Sequence, residues 1–128
     1  MHKLFSEINN CYNLRYMEAS IKYKKKYIGI LNKMDKLNLI KSYKIKNKHI
    51  YIYLKYLNNK PLFILKNYFA ASNFKYLKLH YLKINYTFTN SLKLYTTTFG
   101  ILTFEEMVLK NLGGKLLVDI QFTGKNIL

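Results

Sequence analysis

Residues 95–103 read YTTTFGILT, and residues 112–117 read LGGKLL. Three of the five glycines in this 128-residue chain fall in those two stretches, at Gly100, Gly113 and Gly114. The run 92–97 reads as a strand. Thr103 is placed to cap a helix whose first turn holds Glu105 and Glu106, favourable charges at a helix start. Phe104, Met107, Val108 and Leu112 give that helix an apolar face, and Gly113 and Gly114 are expected to end it with positive φ. Between strand and helix, Thr96, Thr97, Thr98, Phe99 and Gly100 are expected to form a loop. Small hydroxyls there can donate to phosphate or ribose oxygens and accept from base amino groups. Gly100 would let the backbone approach a nucleotide closely. Spacing alone favours a plainer reading, in which the threonines end a strand and Thr103 caps.

Working outward, charge is the strongest global property. Lys and Arg number 22 against 6 Asp and Glu, a formal net charge of +16. Such a surplus repels itself and calls for a polyanion, either nucleic acid or an anionic membrane. The longest clean apolar run, Leu62–Leu65, falls far short of the about 18 residues of a membrane span. The N-terminal MHKLFSEINN carries Lys3 and Glu7, lacks an apolar h-region, and lacks the Arg and Ser bias of a transit peptide. No targeting segment is expected from it. The single Cys11 excludes an internal disulfide and makes no zinc site. Arg15 is the one arginine, Trp is absent and Pro occurs once, at Pro61. The favoured residues (Lys, Asn, Ile, Tyr, Leu, Phe) mostly have A/T-rich codons, which suggests a biased genome such as an organelle's. Phosphate binding must then rest on lysine point charges, with bidentate guanidinium contacts nearly unavailable.

The chain shows no internal repeat, low-complexity tract or Gly/Ser linker. Residues 3–14 place Leu4, Phe5, Ile8, Cys11 and Tyr12 at helical spacing. Residues 16–21 alternate, with Met17, Ala19 and Ile21 on one side of a short strand. The helical period returns over 24–38. Its buried stripe is Tyr27, Ile28, Leu31, Met34 and Leu37, with Lys25, Lys26, Lys33 and Lys36 off it, and Asn38 suits its end. Residues 42–57 read as a hairpin turning at Asn47-Lys48-His49, and Asn58-Asn59 makes a further turn. Pro61 opens a second half with strands around 62–68, 74–79, 92–97 and 115–121 and a helix near 103–111. The expected fold is α+β in two small lobes: an α-β-α-β-β lobe over 1–59, and a mostly β lobe with one short helix over 60–128.

The segment LYTTTFGILT followed by LGGKLLVDI resembles the C-terminal signature of the universal small-subunit ribosomal protein S8 family. In that family a strand runs into Ser-Thr-Ser/Thr-x-Gly-Val/Ile-Met-Thr, then a helix, then Gly-Leu-Gly-Gly and a final strand. Thr96, Thr97 and Thr98 fall on the hydroxyl triplet, Gly100 on its glycine, and Leu112-Gly113-Gly114 on Leu-Gly-Gly. Upstream, Ser6, Ile8 and Asn10 match the hydroxyl, apolar and Asn positions of the family's first helix, and residues 24–40 match its basic second helix. The stretch YIYLKYLNNKP (51–61) is similar to its Leu-Lys-Tyr strand and Gly-Lys-Pro turn. There are departures. Glu7 and Asn9 replace two arginines, and Ala71-Ser72-Asn73 replaces an Arg-Pro-Gly bend. Phe99 replaces a Lys or Arg, leaving stacking on a base or packing as its readings, and Lys115 replaces an acid that assists base recognition. Lys115 is expected to meet phosphate instead.

The resemblance implies a structural protein bound to the central domain of small-subunit rRNA and to neighbouring small-subunit proteins. It implies no cofactor, membrane partner or small-molecule substrate. The implied rRNA-binding residues are Thr96, Thr97, Thr98, Phe99, Gly100 and Lys115, with Ser6, Asn10, Lys24 and Lys25 from the first half. A-form RNA hides its major groove, so recognition falls to 2′-hydroxyls, phosphates and bulged bases, which suits such a loop. Composition points to a mitochondrial ribosome, with a plastid second. The thirteen tyrosines alternate with aliphatics and read mainly as sheet cover, a minority being available to RNA. An enzyme is not expected, because His2, His49 and His80 lack ligand-spaced partners and the six acids form no evident acid/base pair. Two rival readings are a generic cationic, nucleoid-type binder of DNA and RNA, and a cationic membrane-surface protein, which should show one long amphipathic basic helix where this chain breaks into alternating strands after residue 42. The double variant Thr97→Val, Gly100→Ala should weaken binding to a cognate rRNA helix far more than to a random duplex at equal salt. Equal losses would favour the nucleoid-type reading.

Overall fold

The computed structural model describes residues 2–66, 78–85 and 91–123. The chain divides into two compact units, one formed by residues up to Ile64 together with Thr123, the other by Leu65–Phe122. The architecture is α+β, as the pattern of helical and alternating segments implied.

The first unit runs α1 (His2–Asn13), β1 (Glu18–Lys22), α2 (Lys26–Lys36), β2 (Ile40–Lys46), β3 (His49–Leu54), β4 (Tyr56–Leu57) and β5 (Lys60–Pro61). Its main sheet is antiparallel in the order β1-β3-β2, and a second ribbon pairs β4 with β5. Ile50, Ile52 and Leu54 of β3 are wholly buried, with Leu4, Phe5 and Ile8 of α1 and Ile30, Leu31 and Met34 of α2. Each such side chain contributes about 1.5–3 kcal/mol by leaving water. The expected stripe of α2 is rotated slightly: Ile30 is buried, while Ile28 and Leu37 are half-exposed. Met17, expected on the inner side of a strand, is 61% exposed, because β1 begins only at Glu18.

Turn chemistry explains the connections. Asn47 and Lys48 both take positive φ, as do Asn58 and Asn59, so each closes a two-residue hairpin of the type whose twist suits antiparallel strands. His49 therefore opens β3 rather than sitting in the turn. Helix α2 ends as Asn38 suggested. Asn38 takes φ 62°, its N–H donates to the Asp35 carbonyl (3.0 Å), and the Leu39 N–H donates to that of Met34 (2.9 Å). Helix α1 ends the same way with Arg15 at φ 63°, its amide and that of Tyr16 reaching the carbonyls of Tyr12 and Cys11. Tyr12 locks the base of α1: its hydroxyl donates to the Lys55 carbonyl (2.9 Å), and its ring meets Tyr56 and Phe63 edge-on.

The second unit is built on a four-stranded sheet in the order β6-β9-β7-β8, from β6 (Phe63–Lys66, of which Phe63 and Ile64 count with the first unit), β7 (Ser91–Thr97), β8 (Gly100–Thr103) and β9 (Lys115–Phe122). Its helices are α3 (Leu79–Asn85) and α4 (Phe104–Lys110). Leu79, Tyr95, Leu102 and Met107 form a buried cluster, with Leu82, Phe104, Leu112 and Leu116 packed around it. Leu79, expected at the end of a strand, opens α3 instead. The remainder of that expected strand (74–77), the Ala71-Ser72-Asn73 connection and the residues beyond Thr123 lie outside the described residues. Val108 points outward at 36% exposure, leaving Met107 as the buried residue of α4.

Cys11 supplies a pH test of the first core. Its thiol is buried and donates to Glu7 Oε1 (3.4 Å); burial first, then the Glu7 carboxylate, pushes its pKa up to about 11. A folded-state pKa raised above the ordinary 9.0 stabilises the native state fully below pH 9.0, and that contribution is lost as pH climbs toward 11. Iodoacetamide at pH 8 should leave the folded chain unmodified and alkylate the urea-unfolded chain. Equal rates would contradict this burial.

Candidate nucleic-acid interface

The expected loop at 96–100 is the tip of a hairpin. β7 and β8 pair antiparallel, with Tyr95 opposite Leu102, Thr96 opposite Ile101 and Thr97 opposite Gly100. Thr98 and Phe99 alone make the turn. Neither has positive φ, and Gly100 takes it instead, at 104°. That is a conformation side chains resist, so glycine is required there although nothing lies near the place of a Cβ. Of β8, Gly100 was expected in the loop and Thr103 at the cap of the helix, with no strand between them. These residues form a strand because Tyr95 and Leu102 share the buried cluster, which holds the pair in register.

Thr97 is occupied at both ends. Its hydroxyl accepts from the Phe99 N–H (3.1 Å) and donates to the Gly100 carbonyl (2.8 Å), closing the turn from inside. Its methyl lies behind the hairpin against Gly114. A Cβ added at Gly114 would stand 3.0 Å from Thr97 Cγ2, 3.1 Å from the Thr96 carbonyl oxygen and 3.3 Å from Met107 Cε. Gly114 is therefore a packing glycine, with no positive φ. The end of α4 falls to Asn111 (φ 53°), whose N–H donates to the Val108 carbonyl (3.2 Å) while that of Leu112 donates to Met107's (3.0 Å). The hydroxyl pattern of the sequence did not announce this division of labour. The signal available was the spacing of Thr97 and Gly114 around one short helix.

With Thr97 turned inward, the outward groups of the tip are Thr96, Thr98, Phe99 and the Gly100 backbone, all exposed. Phe99 is 70% exposed, so it does not pack into the core formed by the described residues. Lys115 opens β9 directly opposite Thr96, which puts both on one face of the sheet, with Ile101 across β7 from it. Behind the tip, α4 starts with the expected cap. The Thr103 hydroxyl accepts from the Glu106 N–H (3.3 Å), and Glu106 Oε1 accepts from the Thr103 N–H (3.0 Å).

The remaining candidate residues belong to the first unit. Ser6 and Asn10 lie one turn apart on α1, sharing with Lys3 the face opposite the buried stripe. Lys24 and Lys25 are exposed where α2 begins. That start has no side-chain cap; Lys24 and Lys25 carbonyls accept from the Tyr27 and Ile28 amides at 3.0 and 3.2 Å. Among the described residues no group of three or more His, Cys, Asp or Glu could hold a metal, and no helix is long and apolar enough to cross a membrane.

A model of the family described as ribosomal protein S8 matches residues 1–121. The chain belongs to that family. Small ribosomal subunit protein uS8m of Acanthamoeba castellanii is 33% identical to it over 125 residues, spanning 94% of this chain and 97% of the relative. As an S8 protein the chain is a structural constituent of the small ribosomal subunit and not an enzyme. Thr97 of the hydroxyl triplet and Gly114 of the Gly-Gly pair of the S8 pattern thus meet in space.

Gly114→Ala tests that contact. The Thr96 carbonyl is backbone and cannot swing aside, so the substitution should cost about 1–3 kcal/mol. A drop of several degrees in Tm is expected; an unchanged Tm would refute the close approach.

Proposed function

We propose that this chain is the S8 protein of a mitochondrial small ribosomal subunit, where its hairpin tip grips a helix in the central domain of the rRNA. The mitochondrial assignment draws on the uS8m relative and on the lysine- and asparagine-rich composition. The observation that carries the site is the hairpin tip. Thr98, Phe99 and the Gly100 backbone are outward, while Thr97 and Gly114 fix the turn from behind. A rigid small-hydroxyl corner matches the ribose edges and irregular backbone that folded RNA exposes. The exposed Phe99 ring is available to stack on an unpaired base, and Lys115 beside Thr96 faces phosphate. Thr97 acts through the turn rather than by a hydroxyl of its own. Ser6, Asn10, Lys24 and Lys25 serve a second RNA contact from the first unit, and the net charge of +16 supplies the salt-dependent, sequence-blind share of affinity. Neighbouring small-subunit proteins complete its partners, with no membrane and no small-molecule substrate.

The test compares a transcript of the central-domain rRNA helix with a random RNA duplex. Thr98→Ala should weaken the cognate complex alone, by about 1 kcal/mol for one hydrogen bond. Lys115→Gln should weaken both complexes and lower the slope of log K against log salt by about 1. A wild-type chain that bound both RNAs equally would support the nucleoid-type reading instead.

A further inference from the structure

The outer face of the three-stranded sheet takes no part in the contacts above. Along β3, Ile50, Ile52 and Leu54 point inward, so His49, Tyr51 and Tyr53 point outward. The antiparallel registers give each a neighbour on either side. Tyr51 lies between Ser20 and Lys44, Tyr53 between Glu18 and Ser42, and His49 between Lys22 and Lys46. All six flanking residues are exposed. Neither phenol hydrogen-bonds to or stacks on another described residue. Most tyrosines of this chain read as sheet cover, but these two are on the face opposite the buried Ile50, Ile52 and Leu54. Each ring is half-buried, with a serine beside it too short to lie over it. The charge is one-sided: Lys22, Lys44 and Lys46 against Glu18.

We propose that this face is a stacking platform for an unpaired stretch of RNA, with Tyr51 and Tyr53 each taking one base. The two rings stand about 7 Å apart along the strand. Lys44 borders Tyr51, and Lys22 and Lys46 border His49 at the end of the row, where they neutralise the RNA strand's phosphates. Aromatic rings on a sheet face bordered by cations bind single strands with little sequence preference, because every base has a π-face. The inference rests on the reading of the chain as an rRNA-binding protein. It assigns unpaired nucleotides to the first unit, distinct from the folded helix assigned to the hairpin tip.

The experiment uses the full chain with two probes, an octauridylate and the central-domain rRNA helix transcript. Wild type should bind the octamer. Tyr51→Val and Tyr53→Val, which keep strand-favouring side chains, should each weaken octamer binding about tenfold. Tyr51→Phe and Tyr53→Phe should bind like wild type, because the ring is what stacks. Both valine variants should still bind the helix transcript as wild type does, which also reports that they fold. The proposal is overturned if the octamer does not bind, if the valine variants bind it undiminished, or if phenylalanine fails to preserve binding. It is also overturned if the valine variants lose only their incorporation into the small subunit, since the face would then meet a protein. Octamer binding through the tyrosines, with no preference for the helix transcript over a random duplex, would support the platform and sink the small-subunit reading.

Discussion

Behind the hairpin, the Thr97 methyl occupies the space that any side chain at residue 114 would need. That one close approach connects the elements of the second unit in sequence. The Thr103–Glu106 capping box sets the start of α4, α4 aims Met107 into the cluster, and Met107 and Thr97 both border the space that a Cβ at Gly114 would take. With its methyl held there, the Thr97 hydroxyl reaches the turn and closes it. The shape of the tip is then set by bonds within the chain. Rigidity at a contact surface lowers the entropy lost on binding, which lysine-rich surfaces otherwise lose in ordering long side chains.

Composition imposes a second constraint. Few glycines are available, yet the fold needs many left-handed positions. Of the seven non-glycine residues with positive φ among the described residues, five are asparagines: Asn38, Asn47, Asn58, Asn59 and Asn111. Asparagine tolerates that region better than other side chains, because its short amide can bond locally. A chain biased toward Asn and Lys can therefore still make tight hairpins and helix ends. The same bias removes guanidinium forks from the surface. Point charges on flexible stems bind phosphate without reading shape, so in the proposed reading discrimination falls to the fixed geometry of the hairpin tip.

The helices of the first unit, its hairpin at Asn47 and the cap at Thr103 were legible, because each is a local matter of period and turn chemistry. The threonines and glycine of the turn were legible as a group through their pattern. What could not be read was how they divide. Thr97 and Thr98 are adjacent and identical in type; one closes the turn and the other faces outward, a difference created by strand register. Strand β8 was hidden because four residues wedged between a turn and a helix carry too little alternation, and its pairing is decided by Tyr95 and Leu102 meeting in the cluster. Gly114 was misread for a related reason. Its role depends on a residue 17 positions away, Thr97, and no local rule reports such a contact. Tyr51 and Tyr53 could be told from the buried residues of β3 only once the sheet had an inside.

The most direct measurement is a density map of the small ribosomal subunit purified from the source organelle, with this chain in place. The account predicts Thr98, Phe99 and the Gly100 backbone against the rRNA, with the Thr97 side chain turned away from it toward Gly114. A map showing that corner in solvent or against another protein, with the nearest RNA beyond contact distance, would contradict it.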